Sequence, residues 1–280
     1  MKRIVVFLTG ICFALTVTAQ TDTTQQEKTD TIRVGSMIII KRGDGKSGGD
    51  NNIQITTRRK SSYRRSNVST NWFVLDIGVS RFDDNTDYTS AAVQNPTTGF
   101  APGSNKDWFK LRNGKSINVN IWLFLQELNV VKHVVNLKYG LGVELNNYHF
   151  RYKDNIIFET QPTKVVLDPS TGYSKNKLAA DYLTAPLMLN FNFTPDRRHG
   201  FGFSAGVSAG YLYSARQKTK SSANGKEKVW DDFDLRPWKI SYIGELQLGF
   251  VKLYGSFATQ SMFEKGLDMT PYNIGIRFSN

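Results

Sequence analysis

Six charged residues, Asp76, Lys138, Glu144, Glu245, Lys252 and Arg277, stand at alternate positions in stretches whose other parity is apolar. Three acids and three bases gathered in one narrow, low-dielectric space have to pair, because an isolated buried charge costs several kcal/mol. Such a set can act as a salt-bridge plug, as an ion path or switchable gate, or as a carboxylate pair for acid–base chemistry. Composition alone does not choose between the three.

Other residues with chemical potential are scarce. The chain has three His, at His133, His149 and His199, and acyl-transfer chemistry needs a His with a Ser or carboxylate in reach. His149 continues the apolar parity of its stretch beside Tyr148, Phe150 and Tyr152, with Glu159 downstream. That setting suits either a lipid-facing hydrolase site or an interfacial His in an aromatic belt. No second His and no distinctive Ser motif accompanies it. Asp231, Asp232 and Asp234 would suit a divalent cation or half of an acidic protease site, but they lack the spacing of a calcium loop and read as a solvated loop. No Cys/His zinc pattern and no phosphate-cradling Gly loop occurs. The expectation is a protein with no catalytic residue, no metal and no cofactor.

The elements that must position the six charges are strands. From Asn71 to Phe278 about eight segments alternate apolar residues with Gly, Asn, Ser and isolated charges. The connections between them run long, short, long, short, long, very short, medium. This predicts an all-β fold: an eight-stranded antiparallel up-and-down transmembrane β-barrel with lipid outside and polar contacts inside. In the first segment Phe73, Leu75, Ile77 and Val79 are expected to face out and Trp72, Val74, Asp76 and Ser80 to face in. In the second, Leu123 and Leu125 are expected out and Trp122 and Phe124 in. Val135 to Asn146 alternates without a break. Pro186 falls mid-strand on the inner face and cannot donate a ladder hydrogen bond, which predicts a bulge. Asp83–Asn113, Tyr152–Lys177 and Arg216–Arg236 read as long polar loops.

Lys2 and Arg3, the apolar Ile4–Val17 and the small residues Val17-Thr18-Ala19 read as a signal peptide over 1–19. The one Cys, Cys12, lies inside it, so the mature chain is expected to have neither disulfide nor reactive thiol. Residues 20–69 are rich in Thr, Gln, Asp, Gly, Ser and Arg and read as a flexible periplasmic extension. Its two apolar islands, Ile32–Lys41 and Ile53–Thr57, could pair as a hairpin. Residues 70–280 form the barrel domain. The formal charge of +12 becomes +10 without Lys2 and Arg3. Basic residues gather in Arg58, Arg59, Lys60, Arg64 and Arg65 and again over Arg216–Lys228. The first group would contact anionic lipid or a periplasmic partner, or else form a solvated linker. An exported barrel meets lipopolysaccharide and other outer-membrane lipid, the barrel-assembly machinery and, through its extension, other envelope proteins. Nucleic acid is not an expected partner.

The segments KSINVNIWLF, NLKYGLGVELNNYHF, DYLTAPLMLNFNF and the terminal YNIGIRFSN resemble the small outer-membrane β-barrel proteins of Bacteroidota, including PorT-like proteins. The N-terminal DTIRVGSMIII is similar to a lead-in of that group. The resemblance implies a barrel in the outer membrane with both termini periplasmic, and a structural or interaction role in export or surface assembly. It carries no catalytic residue. It also implies that Phe278 serves as the terminal aromatic assembly signal, although Ser279 and Asn280 follow it. The alternatives to an interaction role are a narrow pore or small-ligand transporter and a membrane-embedded lipid hydrolase or protease.

Overall fold

The computed structural model describes residues 30–34, 37–41, 54–57, 66–151, 156–196 and 200–279. The expected signal segment, the basic cluster Arg58, Arg59, Lys60, Arg64 and Arg65, and His199 lie outside them. The chain divides into two units, 1–65 and 66–280. In the first, β1 (Asp30–Val34), β2 (Met37–Lys41) and β3 (Gln54–Thr57) make a three-stranded antiparallel sheet in the order β1-β2-β3. The apolar island over Ile32–Lys41 therefore contains a hairpin of its own, and the second island adds the third strand.

The second unit is a closed ring. Its strands are β4 (Val68–Asp84), β5 (Ile117–Val131), β6 (Val135–His149), β9 (Tyr173–Asn192), β10 (Phe201–Ser221), β12 (Trp238–Leu248), β13 (Val251–Ala258) and β14 (Met269–Phe278). Each pairs antiparallel with the next, and β14 closes onto β4 from Met269↔Asp84 to Phe278↔Leu75. The eight-stranded up-and-down barrel is thus complete, and closure leaves none of the eight as an edge strand. The turns Lys132–Val134 and Gly249–Phe250 occupy one rim, together with the start of β4, the end of β9, the start of β10 and the end of β14. The long connections occupy the other. Among the described residues no helix is long and apolar enough to cross a membrane.

Alternation sorts the side chains as strand geometry requires. Ile77, Val79, Leu183, Leu187, Leu189, Val207, Ile240 and Ile276 are exposed on the outer face. Exposed aromatics flank this apolar band at both rims: Trp72, Phe73, Phe193, Phe250 and Phe278 at the short-turn rim, and Tyr211, Tyr213, Trp230 and Trp238 at the other. Glycines on the inner face let facing strands approach. At the pair Gly78↔Gly275, a Cβ on Gly78 would sit 2.3 Å from the Ile274 carbonyl oxygen and 2.5 Å from the Tyr254 hydroxyl.

Three face assignments, those of Trp72, Phe124 and Leu125, differ from strict alternation. Phe73 takes a positive φ of 54°, and both it and Trp72 face out. The β5–β6 register shifts between Trp122 and Phe124, which turns Leu125 inward and Phe124 toward the outside. Pro186, by contrast, carries no bulge. Its pairing with Ser208 continues the regular β9–β10 ladder, while the β6–β9 pairing resumes in the same register on either side of it. The missing N–H is accommodated by a gap in that ladder rather than by an extra residue.

The long connections are folded. A single helical turn, Ala91–Gln94, lies in the first. β7 (Ile156–Thr160) and β8 (Thr163–Leu167) form a hairpin in the second. The third is not a loop over Arg216–Arg236, since β10 continues to Ser221 and pairs with β11 (Gly225–Trp230).

Candidate functional site

The barrel lumen collects the inward charges into one connected network. Arg277 on β14 donates from Nε to Asp76 Oδ1 at 2.7 Å and from Nη2 to Asp76 Oδ2 at 2.8 Å, a two-pronged pair between directly facing residues of β14 and β4. Asp76 also accepts from Trp122 Nε1 at 2.7 Å and from Asn120 Nδ2 at 3.2 Å. The third prong of Arg277, Nη1, donates to Glu245. Both oxygens of Glu245 accept from Lys138 Nζ at 2.8 Å, and Lys138 lies 3.4 Å from Glu127. Glu144 pairs with Lys239, whose ammonium stands 4.6 Å from the Tyr182 ring centroid. The guanidinium of Arg277 lies 5.4 Å from the Trp122 ring.

Amides extend the network across the ring. Glu144 Oε1 accepts from Asn146 and from Asn273, each at 3.0 Å. Asn118 donates to Asn120 at 2.8 Å and to Asn146 at 3.0 Å, and accepts from Tyr254. Ser80 bridges to Asn146 and Asn273. Asp76, Glu144, Glu245, Lys138, Lys239 and Arg277 are all buried. Three carboxylates and three cations at hydrogen-bonding distance leave the centre of the lumen electrically balanced. A residual cavity of about 30 Å³ remains among Trp122, Glu144, Glu245 and Arg277, room for roughly one or two waters.

Five of the six inward charges named from the sequence thus meet in one place. Lys252 stands apart, half-buried near the short-turn rim, where its Nζ donates to Ser279 Oγ at 2.7 Å. Its expected position in the network is taken by Lys239. The signal was present in the parity of β12, since Lys239 shares its face with Ser241 and Glu245. Phe278 ends β14 with its ring exposed on the outer face.

Above the network, at the long-loop rim, lies a second and wholly different core. Phe158 on β7 packs against Phe150 at 6.2 Å, Phe233 at 5.6 Å and Phe263 at 6.2 Å between ring centroids. Phe100 joins through Phe263 and Phe109 through Phe150. These rings come from all four long connections and the end of β6, and with Val93, Ile156, Val165, Leu178, Leu235 and Met269 they form one buried cluster. Backbone contacts tie the loops together: Val165 N–H donates to Phe100 O at 2.7 Å, and Leu235 bridges to Phe263.

This cap relocates two candidate sites. His149 does not face lipid. It is buried, its backbone N–H donates to Ser116 Oγ at 2.9 Å, and its Nδ1 lies 3.3 Å from the Phe150 carbonyl oxygen. The slip of parity at the end of β6, where Tyr148, His149 and Phe150 are all buried beneath the loops, removes it from the outer surface. The Asp231, Asp232 and Asp234 cluster closes a turn: Asp231 Oδ1 accepts the Asp232 N–H at 2.7 Å and Asp232 Oδ1 accepts the Asp234 N–H at 3.1 Å. Phe233 and Asp234 both take positive φ there, and the turn drives the Phe233 ring into the cap. Among the described residues no group of three His, Cys, Asp or Glu is placed to hold a metal ion.

The model of the outer membrane protein beta-barrel domain matches residues 55–268. The chain belongs to that family. No curated protein matches it. The family places the protein in the outer membrane and accounts for the exposed apolar band as a lipid-facing surface.

Proposed function

We propose that this outer-membrane barrel is a non-conducting, non-enzymatic interaction protein. Its chain ends and short turns face the periplasm, its four-loop cap faces outward, and it supports export or surface assembly as PorT-like proteins do. The observation that carries the reading is the doubly closed lumen. Every buried central charge is paired, and the mouth above is filled by packed aromatic rings. A path for ions would require breaking several buried ion pairs, each costly to separate. What the molecule offers to its surroundings is surface: folded loops on one side and an N-terminal unit with its own sheet. A balanced, fully bonded network also argues against acid–base catalysis, which needs a group poised to exchange a proton with substrate.

The test is a chromosomal deletion complemented by the wild-type chain or by one lacking residues 20–65, with surface-exposed proteins quantified in intact cells. The reading predicts loss of a subset of surface proteins in the deletion and in the truncated strain. An unchanged surface in both, with altered uptake of a small solute, would favour a transporter instead.

A further inference from the structure

The extension of β9, β10 and β11 beyond the barrel wall carries an unusual face. Lys218 pairs across the ladder with Lys177 on one side and Lys228 on the other. Two residues along, Lys220 pairs with Lys175 and Lys226. Because side chains alternate, all six ammonium groups project from the same surface of a three-stranded sheet, in two directly adjacent rows. Like charges placed directly opposite one another destabilise a sheet. Here four such pairs occur together. Among the described residues no carboxylate lies within salt-bridge distance of Lys175, Lys218, Lys220, Lys226 or Lys228. Asp181, further along β9, is already paired with Arg216. Lys220, Lys226 and Lys228 are exposed.

The position of this face says what would neutralise it. Directly on its membrane side lie Arg216 with Trp230 stacked 5.1 Å from its guanidinium, and then the Tyr211–Trp238 ring pair, all on the outer surface of the barrel. Exposed Trp and Tyr mark the level of the lipid headgroups, so the two lysine rows stand at and just above that level. We propose that these two rows are a binding site for the phosphates of the glycolipid headgroup in the adjacent leaflet. The proposal rests on the orientation given under Proposed function, in which that leaflet is the outer one and the ligand is the phosphorylated disaccharide of lipopolysaccharide. The site is a row-to-row array of cations whose mutual repulsion a bound phosphate relieves.

The test uses the full-length protein purified in neutral detergent, with diphosphoryl lipid A as probe and native mass spectrometry as readout. The comparison is the variant Lys218→Gln/Lys220→Gln/Lys226→Gln/Lys228→Gln. Wild type should retain the probe in a salt-sensitive manner, and the variant should bind at least about tenfold more weakly. Dephosphorylated lipid A should not be retained, and excess inorganic phosphate should not displace the probe. The variant should also melt at a higher temperature, because four repulsive pairs are gone; a merely structural role for these lysines predicts the reverse. Equal binding by the variant, equal retention of the dephosphorylated probe, or displacement by free phosphate would overturn the site. A separate arm labels intact cells with a membrane-impermeant amine reagent. Failure to label Lys226 while the purified protein still binds the probe would contradict the orientation but not the phosphate site.

Discussion

The lumen and the cap lie one above the other in the same barrel, yet they are closed by opposite chemistry. The lumen is filled by ion pairs and amides drawn from the strands, and each partner is set by the ladder register. The cap is filled by aromatic rings drawn from loops, and its partners are set by packing alone. A polar interior needs partners fixed to within tenths of an ångström, because an unpaired buried charge is costly. Strands provide that precision. An apolar interior tolerates looser positioning, which loops can meet.

The comparison breaks most readily at Asp76. Replacing it with Ala leaves Arg277 and Trp122 without their main acceptor, and should lower barrel stability by about 3–5 kcal/mol. Urea unfolding in detergent micelles, followed by far-UV circular dichroism, reads this directly. A loss below about 1 kcal/mol would mean that the network contributes little to holding the ring closed. In the cap, Phe158→Ala removes the ring shared by Phe150, Phe233 and Phe263, a truncation worth about 3–5 kcal/mol locally. Its effect should be confined to the loops. Limited proteolysis should open the long connections while barrel unfolding stays near wild type, whereas a matched fall in barrel stability would show that the two regions are one cooperative unit.

Glu144→Gln sharpens the contrast further. It keeps the amide contacts with Asn146 and Asn273 but leaves Lys239 uncompensated. The double variant Glu144→Gln/Lys239→Met should recover most of the loss, because the uncompensated charge is gone; failure to recover would assign the cost to the amides instead. The smallest effect is expected at the exposed Asp168 in the β8–β9 loop. Hydrogen bonds from the Ser170, Thr171 and Tyr173 side chains hold its carboxyl at about 2, below its ordinary value. A lowered folded-state value means the contribution is fully present above the unfolded value near 3.9 and is lost as pH falls through about 2. An NMR titration of the labelled side chain would check this, and a midpoint near 4 would remove the loop contact from the account.

How much could be read from the chain follows the same division. Val135 to Asn146 alternates strictly, and its inward Lys138, Glu144 and Asn146 are where parity places them. The positive φ at Phe73 and the β5–β6 register shift are invisible to parity, so Trp72, Phe124 and Leu125 change faces. Lys239 shares the parity of Ser241 and Glu245 and is legible as inward, whereas Lys252, one strand later, lies nearer the rim. The cap left almost no periodic trace. Phe100, Phe109, Phe158, Phe233 and Phe263 are scattered through segments rich in Asp, Asn, Thr and Gly, and only tertiary closure brings them together. The lysine rows are visible as charge but not as a face, because Arg216–Arg236, which holds the end of β10 and all of β11, reads as loop.

The most direct test of the doubly closed barrel is single-channel recording of the wild-type protein in planar bilayers, beside the Asp76→Ala and Phe158→Ala variants. The account predicts no stepwise conductance for wild type or for either single variant, because each leaves the other closure in place, and rare openings only when the two are combined. Steady ohmic steps from the wild-type protein would contradict it and make the network a selectivity element of an open pore.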